Sequence, residues 1–248
     1  MSLFRSYYHR SQVNKFVLLF VERSGSTYLV TLLNSHQDIL ALREEFSALR
    51  LIGKGAAEQL ERARQIYSPP VIGPYKAIGF KSKRVDILDA EGFSNILHEN
   101  KCRVIQLMRR NSVKAVISTI NADRLYQASG KWNLLTEDDR MPPFEVDIDQ
   151  FDKMLQERLR WDDEMQAFCD QLNLPKITLY YEDLLEDKEG FLRRVFSFLG
   201  VKPKPVTEKT IKHTRDNLRE VLTNFDELRA RYIGTPYEIM FDEVIVKS

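Results

Sequence analysis

Cysteine is nearly absent. Cys102 and Cys169 are the only two in 248 residues, too few for a disulfide framework and without metal-ligand spacing. Net charge is almost absent too: 37 lysines and arginines face 36 aspartates and glutamates, a formal +1. The chain therefore lacks the net basic surface with which a general nucleic-acid binder releases counterions from phosphate. One small anionic ligand held by a local basic cluster remains compatible with that balance. No apolar run is long enough to span a bilayer; the first, Phe16 to Val21, is far too short, and Met1 to Arg10 is polar and aromatic rather than a secretory leader. Internal repeats and low-complexity linkers are missing as well. The expectation is a soluble, reduced, cytoplasmic protein with no membrane span. What is present, 43% apolar and 29% charged residues, is globular composition and excludes disordered, collagen-like and coiled-coil chains.

Short apolar runs alternate with helical patterns. Phe16 to Val21 has no polar break, as expected of a strand covered on both faces in a parallel sheet. Further strands are expected at Ala77 to Phe80, Arg103 to Met108 and Ile177 to Tyr181. Helices are expected from Leu29, Leu32, Leu33 and His36, and over Ser112 to Ile120 with Asn111 or Ser112 as N-cap. A long amphipathic helix is marked by Phe151, Met154, Leu155, Leu159, Met165, Phe168 and Leu172 and ended by Pro175. Another, carrying Phe191, Val195, Phe198 and Leu199, is closed by Gly200. A C-terminal helical stretch surrounds Leu218, Val221, Leu222 and Phe225. Repeated strand–helix units predict a single α/β domain over residues 1–248, a doubly wound parallel sheet flanked by helices. The least regular stretch, about 123–150, holds Trp132, Pro142 and Pro143 and reads either as a lid or as a solvated excursion.

Ligands in such sheets bind at the carboxyl ends of the strands. Arg23-Ser24-Gly25-Ser26-Thr27 falls there, between the first strand and its helix. Free helix N–H groups attract an anion, Gly25 lets the backbone approach it, the hydroxyls add donors and Arg23 adds fixed charge. The loop is not the triphosphatase pattern, since G-x-x-x-x-G-K-[ST] is missing; a plain turn with a Ser/Thr cap is the competing reading. A second basic element, Arg109 and Arg110, closes the third strand, and Ser118 lies eight residues beyond Arg110. Arg110 at the strand end and Ser118 two turns along could close on one phosphate.

Together these features resemble the sulfotransferases that use 3′-phosphoadenosine 5′-phosphosulfate (PAPS), most closely their carbohydrate and bacterial branches. Their first loop reads R-S-G-S-T or R-S-G-S-S; their second signature is a strand ending in Arg-Asn with a serine eight residues on, here Arg110, Asn111 and Ser118. Tyr181-Glu182-Asp183-Leu184, followed by Phe191 to Gly200, is a third match. The resemblance, loose between motifs, spans roughly Phe16 to Met240. It implies a P-loop-like fold, PAPS as co-substrate and no metal. Arg23, Ser24, Gly25, Ser26 and Thr27 would cradle the 5′-phosphosulfate, Arg110 and Ser118 would hold the 3′-phosphate, and Tyr181 would lie near the adenine. Lys212 would bring a basic C-terminal group to the nucleotide. Glu182 and Asp183 are expected to be surface or capping acids.

Sulfuryl transfer needs in-line positioning and electrostatic support, and the acceptor hydroxyl must lose a proton. Many cytosolic relatives carry a histidine after the second strand. Here that stretch is Phe80-Lys81-Ser82-Lys83, with Lys83 where the histidine would stand. None of the four histidines fits better. In carbohydrate-type members a glutamate in the loop–helix unit is the usual base; Glu44, 21 positions after Arg23, has that spacing, with Glu45 as its rival. Lys81 or Lys83 is the expected electropositive group, contacting the transferring sulfuryl group or an acceptor anion. The acceptor expected is a sugar, glycolipid or other small alcohol. The alternatives are an ATP-using small-molecule kinase and a catalytically idle nucleotide-binding module.

Overall fold

The computed structural model describes residues 13–68, 75–130, 132, 140–207 and 215–245. Its central element is strand β1, Asn14–Phe20. Phe16, Leu18 and Phe20 point to one face of the sheet and Val17 and Leu19 to the other, and both sets are buried in separate core clusters. That two-sided burial is why the run carries no polar residue. Helix α1, Ser26–Ser35, follows, then strand β2, Ile39–Leu42, and helices α2, Glu45–Leu51, and α3, Ala56–Tyr67. Strand β3, Ala77–Ser82, leads through a short 3₁₀ turn, Arg84–Asp86, to helix α4, Ala90–Glu99, and strand β4, Arg103–Met108. Helices α5, Ser112–Ser129, and α6, Ile148–Gln171, precede strand β5, Lys176–Tyr180. Helices α7, Tyr181–Glu186, and α8, Lys188–Leu199, then α9, Phe225–Ala230, and α10, Glu238–Asp242, complete the described chain. Among the described residues no helix is long and apolar enough to cross a membrane.

All strand pairings are parallel, in the order β2-β3-β1-β4-β5. The expected α/β class is therefore present, P-loop-like with a glycine-containing turn following the central strand. The chain leaves β1 through α1 to the edge strand β2, and later crosses from β3 past β1 to β4, so the connections diverge around the carboxyl end of β1, where such sheets bind ligands. One face of the sheet packs on α1 and α8 through Leu29, Leu32, Val195 and Leu199. The other packs on α3, α4 and α6 through Phe93, Met165 and Phe168. A third cluster joins α5 and α6 to the C-terminal helices through Val116, Phe151, Leu222 and Phe241. Both thiols are buried, and burial pushes each up to about 12, so neither is a thiolate at neutral pH.

Several boundaries differ from the sequence reading. Strand β2 was not foreseen as a strand. It has only four residues, and its outer edge is closed by a side chain: Asn34 Nδ2 donates to Ala41 O (2.6 Å) and Ala41 N donates to Asn34 Oδ1 (2.8 Å). Helix α5 continues nine residues past the expected end at Ile120, because Leu125 still packs in the interior. The irregular stretch of about 123–150 is thus helical at both ends, and residues 131 and 133–139 lie outside the described residues. Trp132 is half exposed and stacked on Tyr126 with centroids 4.2 Å apart. Tyr181 opens α7 rather than ending β5. Gly200 closes α8 in the left-handed conformation, φ +69°, as its position predicts.

Candidate active site

The turn after β1 is held in a conformation that side chains seldom adopt. Arg23 has φ +59° and Gly25 φ +77°. Gly25 caps α1, and no side chain bonds the first-turn amides. The Ser/Thr-capped turn is thereby excluded: Ser24 Oγ donates to Val21 O at 2.6 Å, while the Ser26 and Thr27 hydroxyls accept from Lys81 Nζ at 3.2 and 2.9 Å. An uncapped helix start with hydroxyls and an ammonium beside it is an anion site in waiting.

Lys81 projects from β3 into this turn and is 2% exposed. Burial lowers its pKa, and the Glu44 carboxylate opposes that shift. Glu44 stands at the N-cap of α2 with Oε1 2.9 Å from Lys81 Nζ and Oε2 3.8 Å from Lys83 Nζ. Lys83 also lies 3.9 Å from Glu22 and 3.5 Å from Asp86, whose other oxygen is held by Arg50 at 2.9 Å. Glu45 points elsewhere: its carboxylate is bound by Arg62 of α3 at 2.8 Å. Of the two adjacent glutamates, only Glu44 therefore meets the lysines.

The ends of β1 and β4 converge. Arg109 Nη1 donates to Arg23 O at 2.9 Å, and its guanidinium sits 5.1 Å from the Tyr181 ring centroid. Its buried Nε has no hydrogen-bond partner among the described residues, and Glu182 Oε1 lies 4.0 Å from it. Burial draws both Arg23 and Arg109 below their ordinary pKa. Arg23 Nε donates to Ser118 Oγ at 3.0 Å.

A family model of the sulfotransferase domain matches residues 14–229. The chain belongs to the sulfotransferase family. Nodulation protein H of Rhizobium tropici is 25% identical over 238 residues, 92% of each chain. The Rhizobium meliloti protein of the same name is 25% identical over 239 residues, 92% of this chain and 94% of that one. A sulfotransferase from Alicyclobacillus acidocaldarius superposes with a TM-score of 0.48 at 15% identity, covering 92% of this chain and 94% of its own. Mouse sulfotransferase SULT7A1 complexed with PAP superposes with a TM-score of 0.45 at 14% identity, covering 77% of this chain and 61% of its own.

In this sulfotransferase the expected residues divide into those brought together and those kept apart. Arg23, Ser24, Gly25, Ser26, Thr27, Lys81, Lys83 and Glu44 form one continuous set of contacts at the sheet's carboxyl edge, and Ser118 joins it through Arg23. Arg110 does not bond Ser118. Its guanidinium pairs with Asp183 at 2.5 Å and lies 4.1 Å from the Tyr180 ring centroid, half exposed. Its neighbour Arg109 is the one that turns inward. Tyr181 is buried against Gly25, where an added Cβ would lie 2.2 Å from its ring; it floors the turn rather than standing open beside a base. Lys212 lies outside the described residues.

Of the two places expected for Glu182, surface or cap, the fold takes the second. Glu182 is 3% exposed, and its carboxylate accepts from the amides of Arg110 (3.0 Å) and Asn111 (3.2 Å), binding β4's end to the start of α5. Asn111 is the N-cap proper, accepting from Lys114 N. Arg158 of α6 was missed altogether, although its spacing carried a signal: it falls on the buried stripe with Phe151, Leu155 and Met165, where a lone arginine is anomalous.

Proposed function

We propose that this protein transfers a sulfuryl group from PAPS to the hydroxyl of a carbohydrate, glycolipid or other small alcohol. One observation carries the reading: a single buried ammonium, Lys81, bonds both the hydroxyls of the anion turn and the carboxylate of Glu44. The donor cradle and the candidate base are thus one hydrogen-bonded unit. The residues present fit PAPS. The first turn of α1 has no side-chain cap, Lys81 bonds its hydroxyls, and Arg109, whose Nε has no hydrogen-bond partner among the described residues, holds the carbonyl of Arg23 beside it. When bound, PAPS supplies a sulfuryl group whose leaving partner is a stabilised phosphate.

Arg23, Ser24, Gly25, Ser26 and Thr27 hold the 5′ end, where charge grows on the bridging oxygen and fixed donors act with little reorganisation. Lys81 neutralises charge on the transferring group while keeping Glu44 oriented. Glu44 removes the acceptor proton, and Lys83, shared among three carboxylates, steadies the acceptor side. Ser118 and Arg110 take the 3′-phosphate. For Arg110 this requires exchanging Asp183, and an exposed ion pair of that kind contributes only about 0–1 kcal/mol. Lys212 is a further basic contact to the nucleotide.

Thermal shift separates this reading from an ATP-dependent kinase: 3′-phosphoadenosine 5′-phosphate (PAP) raises Tm, and ATP with magnesium does so far less. Ser118→Ala weakens PAP about tenfold and leaves adenosine 5′-phosphosulfate, which lacks the 3′-phosphate, unaffected, as expected for one lost hydrogen bond to a charged group. Equal stabilisation by ATP with magnesium, accompanied by ATP turnover, would sink the assignment. Sulfate transfer to a panel of sugars, glycolipids and simple alcohols tests the idle-module alternative.

A further inference from the structure

We infer that Arg158 is a positioning residue for the donor, holding the anion turn from beneath; the inference rests on the PAPS reading above. Arg158 lies on the inward face of α6 and is 4% exposed. Its Nη1 donates to Glu22 O at 2.7 Å, its Nη2 to Ser24 Oγ at 3.3 Å, and its Nε to Asp162 Oδ2 at 2.7 Å. One guanidinium therefore spans the residues on either side of Arg23, and Asp162, one helical turn along, keeps it from rotating.

The geometry of the turn gives this contact its meaning. Arg23 is a non-glycine residue at φ +59°, a conformation that persists only where its surroundings over-determine it. Arg158 fixes the carbonyl before Arg23, and Arg109 fixes the carbonyl of Arg23 itself at 2.9 Å. In a trans peptide the N–H points opposite to the carbonyl. Pinning the carbonyls of Glu22 and Arg23 onto two guanidiniums therefore sets the directions of the Arg23 and Ser24 amides, and with them the path of the Arg23 side chain toward Ser118. An aliphatic side chain at 158 would fill the same space in the apolar stripe. The guanidinium is there for the turn.

The test is PAP affinity by calorimetry with steady-state kinetics on the full chain. Arg158→Met keeps the stem and removes the guanidinium; it raises the PAP Kd and the donor KM about 10- to 100-fold while the acceptor KM stays within twofold. Arg158→Lys, which can reach Glu22 O but cannot bridge three acceptors, recovers part of the loss. Asp162→Asn, a milder change that leaves Arg158 in place, raises the PAP Kd by a smaller factor. A wild-type Kd in Arg158→Met and Asp162→Asn, with Tm lowered, would show a structural role alone and overturn the inference. If the wild-type protein does not bind PAP, the donor assignment fails instead. Stabilisation by inorganic pyrophosphate, which needs only the turn, then decides the role of Arg158: its loss in Arg158→Met supports the inference and its retention overturns it.

Discussion

Glu44→Gln lowers kcat by about 10²- to 10⁴-fold, the usual worth of a positioned general base, with PAP affinity within a few-fold of wild type. The amide conserves the shape of a side chain wedged between Lys81 at 2.9 Å and Lys83 at 3.8 Å but removes the charge that faces Lys81, so it is a kcat loss with PAP affinity retained that reports the missing base rather than a disturbed lysine. At about 1.36 kcal/mol per decade this is about 3–5 kcal/mol of transition-state stabilisation. Glu45→Gln provides the control, because Glu45 is committed to Arg62 at 2.8 Å and its replacement leaves kcat near wild type. Steady-state kinetics at saturating acceptor, with PAP titrations alongside, separate the two. A wild-type kcat in Glu44→Gln, or an equal collapse of binding and turnover, would remove Glu44 as the base.

Gly25→Ala weakens PAP by more than about 100-fold. Two costs combine. At φ +77° a Cβ costs about 1–2 kcal/mol by itself. The added carbon would also lie 2.2 Å from Cδ2 and 2.6 Å from Cε2 of Tyr181. That ring is not a flexible chain end: it is buried and lies beneath Arg109, which in turn holds Arg23 O. Relief of the clash therefore disturbs the anion turn itself. The double variant Gly25→Ala/Tyr181→Ala recovers part of the affinity, because removing the ring removes the collision but not the backbone strain; such non-additivity is the mark of direct contact. Wild-type PAP affinity in Gly25→Ala, measured by calorimetry, would contradict this account.

The readable parts of the chain were those governed by neighbours in sequence. The β4 limits, the Gly200 stop and the Asn111 cap follow from local pattern and cap chemistry, and they stand where that chemistry puts them. The turn between β1 and α1 was legible for the same reason, since strand, glycine and hydroxyls are contiguous. Strand β2 was not legible, because four residues give too short a period and the group that closes its edge, Asn34, lies in the preceding helix. Choosing between Arg109 and Arg110 was equally beyond local pattern. Adjacent residues at a strand end point to opposite sides, and which one faces inward depends on Tyr181, Glu182 and Asp183, which arrive more than seventy residues later.

The amino-acid order alone determined the α/β class, the family resemblance, the place of the turn Arg23–Thr27 between strand and helix, and Glu44, Lys81 and Lys83 as separate candidates. Only the folded chain decided that Lys81 joins that turn to Glu44, that Glu45 belongs to Arg62, and that Arg109 and Arg158 grip the turn while Arg110 faces outward. The division has a physical cause. Periodicity and capping are fixed by covalent neighbours, whereas the partner of a charged side chain is fixed by which strands lie side by side. Here the order β2-β3-β1-β4-β5 is an outcome of packing that no short stretch of sequence contains.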